Sequence, residues 1–262
     1  MNAQRMDNLK CYLYLLSSFR NSPNMIRAFR GGTICSNAVL WNGVRLVHPA
    51  DRRGMVGTIL EVWREKCYTK IGFYTPPAGD QIVDAGAHVG LFSLAMAFAN
   101  PQCHILALEP FPENYACLQQ NILSAQAENI QSLPYAVGAN ETLAYIEPVG
   151  ERSIDHLLRS SNSPERQPVH VVGLAEILNH LNTDHVAMLK MDIEGAEFDA
   201  FECANSNTLN CFERIAMEYH DNLRPGTLEL LTKKLAPTHE TRIEPTMDRE
   251  YGVLFAKRRI SK

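Results

Sequence analysis

The chain has 262 residues, 45% of them apolar and 21% charged, an ordinary globular composition with room for one large α/β domain and an extension. Its net charge of −4 at pH 7 leaves no basic surplus to neutralise a phosphate backbone, which argues against a nucleic-acid partner. No stretch approaches the ~18 apolar residues that span a bilayer, nothing reads as a secretion signal, and seven cysteines without a CxxC pair point to free thiols in the cytoplasm.

Residues 1–75 read as an N-terminal cap, and residues 76–262 as the main domain. Within 4–20, Met6, Leu9, Leu13 and Leu16 fall on one face at helical spacing. This predicts an amphipathic helix that closes over an acceptor, packs on the sheet edge or joins a homodimer. In "AVLWNGVRLVHP" (38–49), apolar runs flank Asn42-Gly43, a pair that accepts positive φ at both turn positions, so a β-hairpin is expected. "GMVGTILEVWREKCY" (54–68) reads as a further helix.

From residue 80 strands and helices alternate. "QIVDA" precedes a helix at 90–99, and "HILALE" (104–109) one near 112–124. "IQSLPYAVG" (130–138) is read as one strand, with a hairpin through "LAYIEPV" (143–149). Residues 159–168 are polar and read as an exposed loop. "VHVVGLAEILNHL" gives a strand edge and a short helix. "VAMLKMD" (186–192) leads to a helix near 196–203, "RIAMEYH" (214–220) to one at 226–235, and two strands close the chain. Such alternation implies an α/β, doubly wound, mainly parallel sheet, with ligands bound outside the carboxyl ends of its strands. Asp84, Glu109, Asp192 and His220 all fall at or just past such ends.

The stretch "QIVDAGAHVG" (81–90) is a strand, a tight turn and a helix start. It departs from the dinucleotide fingerprint, because His88 stands where a second glycine would let the chain approach a pyrophosphate. Asp84 would also repel a diphosphate. The turn therefore suits a nucleoside without phosphates, and S-adenosylmethionine fits: its ammonium and sulfonium welcome carboxylates, and Glu109, at the end of the next strand, can accept from both ribose hydroxyls. In "LKMDIEGAEFDAF" (189–201), Lys190, Asp192 and Glu194 share a strand face as long as the strand lasts.

Taken in order, "IVDAGAHVGLFSL", "LALEPFPENYACLQQNI", "LPYAVG", "LAEIL", "VAMLKMDIEGAEFDAF" and "IAMEYH" resemble the FkbM-type family of S-adenosylmethionine-dependent methyltransferases, over roughly residues 68–220. The resemblance implies a seven-stranded, Rossmann-like class I sheet with its last strand antiparallel, and methyl transfer, usually to oxygen. It implies that Asp84, Gly86 and Gly90 line the methionine and ribose end, with His88 in a place where many members have Asn. Glu109 would hold the ribose, with Phe111 beside it or the adenine and Tyr135 and Ala136 near the adenine. Asp192, which also reaches the cofactor, and Glu194 would stand near the transfer site. An alcohol acceptor needs a general base, and Asp192, Glu194 and His220 are the candidates; Glu218 alternates with His220, and His48 is a further candidate from the cap. A carboxylate acceptor needs none. The expected acceptor is a small metabolite, a sugar or a modified peptide. Asp192, Glu194, Glu218 and His220 could gather a divalent cation, yet no HxxE or HxxxH spacing supports one, so no metal is expected. The competing readings are an NAD-dependent oxidoreductase and a non-catalytic nucleoside-binding module of the same fold.

Overall fold

The computed structural model describes residues 3–31, 34–49, 54–148, 156–159, 166–245 and 250–259. The chain opens on helices α1 (Ala3–Ser18) and α2 (Ser22–Phe29), the second begun by a proline whose missing N–H costs nothing in a first turn. Strands β1 (Asn37–Val39) and β2 (Arg45–Val47) pair antiparallel as expected, with Gly43 at φ +97° in the turn. Helix α3 (Gly54–Ile59) runs into a π-helical turn at Leu60–Arg64, so the helix expected over 54–68 stops short.

The face of α1 is the reverse of the one its leucine spacing suggests. Met6, Leu9, Leu13 and Leu16 are 45–58% exposed, whereas Cys11 and Leu15 are buried. The helix carries two apolar rows. The inner one runs on in i+4 steps to Phe19, which stacks on Trp63 at 6.2 Å between ring centroids.

The main unit then runs β3 (Gln81–Ala85), α4 (Leu91–Ala99), β4 (His104–Leu108), α5 (Pro112–Ala125), β5 (Ile130–Leu133), β6 (Tyr135–Val137), β7 (Thr142–Pro148), β8 (His156–Arg159), β9 (Gln167–Val172), α6 (Leu174–Leu181), β10 (Val186–Met191), α7 (Glu197–Cys203), α8 (Ser206–Asn210), β11 (Phe212–His220), α9 (Thr227–Leu235), β12 (His239–Pro245) and β13 (Tyr251–Arg258). Seven strands form one sheet in the order β12-β13-β11-β10-β3-β4-β5. Strand β13 is antiparallel to both its neighbours, and the remaining pairs are parallel. This is the doubly wound α/β sheet. Every residue of β10 is buried, as a central parallel strand covered on both faces must be. The chain order reverses between β3 and β10, and there the carboxyl ends open a crevice.

The strand expected over 130–138 is two. Pro134 cannot donate to a ladder, and the chain leaves the main sheet at that residue. β6 enters a separate sheet of order β6-β9-β7-β8, so β7 pairs with β9 and β8 rather than with 130–138. Most of the polar loop expected at 159–168 lies outside the described residues, as does the turn at 246–249; residues 167–168 already belong to β9. Among the described residues no helix is long and apolar enough to cross a membrane.

One apolar cluster joins the N-terminal segment to the sheet: Leu15, Phe19, Met25, Leu46, Met55 and Ile59 share it with Ile82, Val89, Phe92 and Leu118. A second fills the opposite face under α6, α7 and α9. Polar pins reinforce the first. Asn121 of α5 accepts from Val47 N at 2.6 Å and donates to Val47 O at 2.9 Å and Val89 O at 2.8 Å, while Trp63 Nε1 donates to Leu91 O at 2.7 Å.

Candidate active site

The turn between β3 and α4 is built from left-handed residues: Gly86 at φ +72°, His88 at +52° and Gly90 at +85°. Packing demands both glycines. A Cβ on Gly86 would lie 1.7 Å from the carbonyl oxygen of Asp192, where the end of β10 crosses, and one on Gly90 would lie 2.4 Å from Leu118 Cδ1. Gly86 N and Ala87 N both donate to Leu108 O, which ties the turn to β4.

Asp84 does not line the ligand space. It has no exposed surface, accepts from Ser93 Oγ at 2.7 Å and stands 3.2 Å from Lys190 Nζ. The two are direct partners across β3 and β10. Lys190 Nζ also donates to Gly86 O at 2.6 Å, so Asp84 acts on the turn through Lys190. Burial works against the Lys190 charge, but Asp84 and Asp192 outweigh it and raise its pKa. The sequence expectation placed Asp84 at the methionine end; its side chain instead points into the sheet, under the turn.

Glu109 lies behind the turn, nearly buried. Its Oε2 accepts from His88 N at 2.8 Å; its Oε1 accepts from Phe111 N at 2.9 Å and Asn114 Nδ2 at 3.4 Å. Burial raises its pKa to about 7 against the pull of those donors.

In front of the turn lies a cavity of about 350 Å³ bounded by Gly86, His88, Lys190, Asp192, Glu194 and Glu218, with Glu61 and Tyr68 from the N-terminal segment closing the far wall. Tyr68 Oη is 2.9 Å from Asp192 Oδ2 and 3.0 Å from Glu218 Oε1. A phenol has one proton to donate, so the second contact needs a protonated carboxyl. Glu218 is that group: burial first, then the Asp192 and Glu61 charges, raises its pKa to about 8.

His220, at the end of β11, is buried beside the cavity. Nδ1 lies 3.1 Å from Oε1 of Glu197, a fully buried carboxylate that also accepts from Ile193 N and Gly195 N. Nε2 faces Glu194 at 3.6 Å, Glu218 at 3.9 Å and Asp192 at 4.0 Å. Burial alone would lower the imidazole pKa, yet Glu197, Asp192 and Glu194 raise it to about 10. These carboxylates favour the imidazolium form of His220, which has no lone pair to accept a proton.

The fold thus gathers Gly86, His88, Asp192 and Glu194 around one cavity, sets His220 beside them and Glu109 behind the turn, and leaves Gly90 packed at the start of α4. Three predicted residues lie elsewhere. Phe111 packs on the core of the smaller sheet, Ala136 is buried in it, and Tyr135 borders a separate cavity of about 270 Å³, its ring 4.5 Å from that of His170. His48 reaches the turn edge-on, its ring 4.9 Å from that of His88. Tyr68, Glu61 and Glu197 had no part in the sequence reading. Glu197 stood within a quoted motif, but only its zero exposure singles it out.

Residues 84–235, more than half of the chain, match the model of the methyltransferase FkbM domain. A protein named methyltransferase 1 from Beauveria bassiana is 26% identical over 62% of this chain and 72% of its own length. Methyltransferase sdnD of Sordaria araneosa is 25% identical over 76% and 88%. The 31-O-demethyl-FK506 methyltransferase FkbM of Streptomyces tacrolimicus is 34% identical over 23% of each chain. The matched span opens at Asp84, ends at Leu235 and contains the turn, Glu109 and the acids of β10 and β11; the chain belongs to the FkbM-domain methyltransferases.

Proposed function

We propose that this methyltransferase moves the methyl group of S-adenosylmethionine to an oxygen, a hydroxyl or carboxylate, of a small metabolite, sugar or modified peptide. The carrying observation is the charge of the cavity wall. Among the described residues, the acids Glu61, Asp192 and Glu194 line it beside Glu218, and the charge of Lys190 on the same wall is matched by Asp84 beneath. Such a wall suits the ammonium and sulfonium of the cofactor. Glu109 supports the ribose assignment: an ionised carboxylate offers about four lone-pair sites, and three are taken, which leaves one for a ribose hydroxyl.

When bound, S-adenosylmethionine supplies a methyl group on a positively charged sulfur. The chain supplies position, which can contribute ~7–11 kcal/mol for well-aligned reactants. Glu109 orients the ribose, and the turn from Gly86 to His88 bounds the methionine end. Glu194, 26% exposed and on the cavity wall, takes the proton of an acceptor hydroxyl and passes it to solvent. Asp192 and Tyr68 fix the acceptor side. The N-terminal segment acts as a wall of the acceptor site through Glu61 and Tyr68. Oxygen as the acceptor atom is supported by the name of the Streptomyces relative, which specifies an O-demethyl substrate. Free cysteines suit a cytoplasmic setting.

Calorimetry with S-adenosylhomocysteine and with NADH, followed by mass detection of methyl transfer to hydroxyl- and carboxylate-bearing acceptors, tests this reading. Binding of S-adenosylhomocysteine alone and a methyl gain lost in Glu194→Gln are expected. Binding of NADH instead, or methylation of nitrogen only, overturns it.

A further inference from the structure

We propose that Asp192, Glu218 and His220 form a site for one divalent transition-metal cation at the acceptor side of the cavity. The three residues can each offer one ligand atom, all within 4.8 Å of one another. Two of them end adjacent parallel strands, since Met191 of β10 pairs with Met217 of β11 and the ligands lie one and three residues beyond.

The outward contacts of these residues select the atoms that face inward. Tyr68 takes Asp192 Oδ2 and Glu218 Oε1, the distal oxygen of each carboxylate. That leaves Asp192 Oδ1 and Glu218 Oε2 turned toward the imidazole, and Asp192 Oδ1 is buried without a hydrogen-bond partner. Glu197 takes Nδ1 of His220, whose side chain is 8% exposed, and aims Nε2 into the gap. Among the described residues no group in the gap lies within hydrogen-bond distance of Nε2: its nearest carboxylate oxygens are at 3.6, 3.9 and 4.0 Å. Metal-binding histidines almost always give their other ring N–H to such a carboxylate, which fixes the tautomer and directs the free nitrogen.

The gap has the size of an ion. Ligands at ~2.1 Å from a cation stand about 3 Å apart when adjacent and about 4.2 Å apart when opposite, and the Nε2 distances fall within that interval. The donor set of one imidazole and two carboxylates suits Mn²⁺, Fe²⁺ or Zn²⁺ better than Ca²⁺. Such an ion would orient and acidify an acceptor hydroxyl; that use rests on the function proposed above, whereas the site does not. The sequence reading expected no metal because the ligands come from different strand ends and show no helical spacing.

The test is titration of the chelator-stripped full chain with Mn²⁺, reading free Mn²⁺ by electron paramagnetic resonance. One bound Mn²⁺ per chain is expected, with affinity at least tenfold weaker in Asp192→Asn, Glu218→Gln and His220→Gln and unchanged in Glu128→Gln, an exposed control. If a variant fails to fold, the unaltered chain decides alone: amide resonances of residues 192–195 and 218–221 broaden selectively on adding Mn²⁺. The absence of a stoichiometric site, or equal affinity in folded variants, overturns the proposal and leaves the acids to an ammonium-bearing acceptor. Calorimetry with S-adenosylhomocysteine on the stripped chain keeps the two readings apart. Binding there without any Mn²⁺ site sinks the metal alone, and a Mn²⁺ site without cofactor binding sinks the methyltransferase cofactor reading alone.

Discussion

Asp84 and Lys190 show how a residue can serve a site it never touches. Both are buried, and each is the other's charge partner. Removing one partner of a buried pair strands the other charge, at a cost of about 3–5 kcal/mol. Asp84→Asn is therefore expected to lower the urea midpoint sharply. Where it stays folded, it should alter cofactor affinity only through the turn that Lys190 holds. A loss of affinity with no loss of stability would show that Asp84 meets the ligand after all. Glu109 makes a pH prediction. Its pKa is raised to about 7 from 4.5, so the folded chain holds this proton more tightly than the unfolded chain does. Its contribution to stability therefore falls as pH rises from about 4.5 to about 7 and stays low above that, a cost of about 3 kcal/mol. Glu109→Gln should be the more stable chain at pH 8 and lose that advantage at pH 4. A ribose hydroxyl donates to the ionised form, so affinity for S-adenosylhomocysteine should be about tenfold weaker at pH 6 than at pH 8. The variant should show weak, pH-independent binding; a flat profile in the unaltered chain would remove Glu109 from the ribose.

At the scale of elements, the two glycines of the turn rank differently. A Cβ at Gly86 meets backbone at 1.7 Å, which cannot yield without parting β3 from β10; a Cβ at Gly90 meets the end of a leucine side chain at 2.4 Å, which can rotate. Gly90→Ala is expected to cost about 1–3 kcal/mol, the range for backbone strain and overpacking. Gly86→Ala should cost more and leave little folded protein. Similar unfolding midpoints for the two would contradict the crossing of β10 over Gly86. Helix α1 gives a second contrast. Leu15→Ala should cost about 2–5 kcal/mol, whereas exposed Leu13→Ala should stay within about 0.5 kcal/mol. The same elements show what a sequence can disclose. The main sheet was legible because its central strands β3, β4 and β10 are mainly apolar and alternate with helices, and the rim acids Glu109, Asp192 and Glu194 were legible because they follow the ends of such strands. The smaller sheet was hidden, since β6 pairs with β9 across two intervening strands, β7 and β8. Spacing could not choose between the two apolar rows of α1. Nor could it join Tyr68 to Asp192 across 124 residues of chain, because no local pattern records a contact of that range.

At the scale of the molecule, the N-terminal segment is built in rather than hung on. Leu15, Phe19, Met25 and Leu46 have no exposed surface, and they share a cluster with Ile82 of β3, Val89 of the turn that follows it and Leu118 of α5. Burying each such side chain is worth ~1.5–3 kcal/mol, so the four together rival the ~5–15 kcal/mol that keeps an entire domain folded. A detachable lid would let a chain lacking residues 1–50 keep its cofactor affinity. The shared core predicts the opposite: the truncated chain should be insoluble or lack a cooperative transition, and should bind no S-adenosylhomocysteine. The full chain offers a cleaner measurement, because both tryptophans, Trp41 and Trp63, lie in the N-terminal segment. Tryptophan fluorescence then follows that segment, while far-ultraviolet circular dichroism follows the whole molecule. Coincident urea midpoints are expected if the segment and the sheet unfold as one unit. A fluorescence midpoint well below the dichroism midpoint would mean that the segment opens first, and Glu61 and Tyr68 would then belong to a moving wall rather than a fixed one.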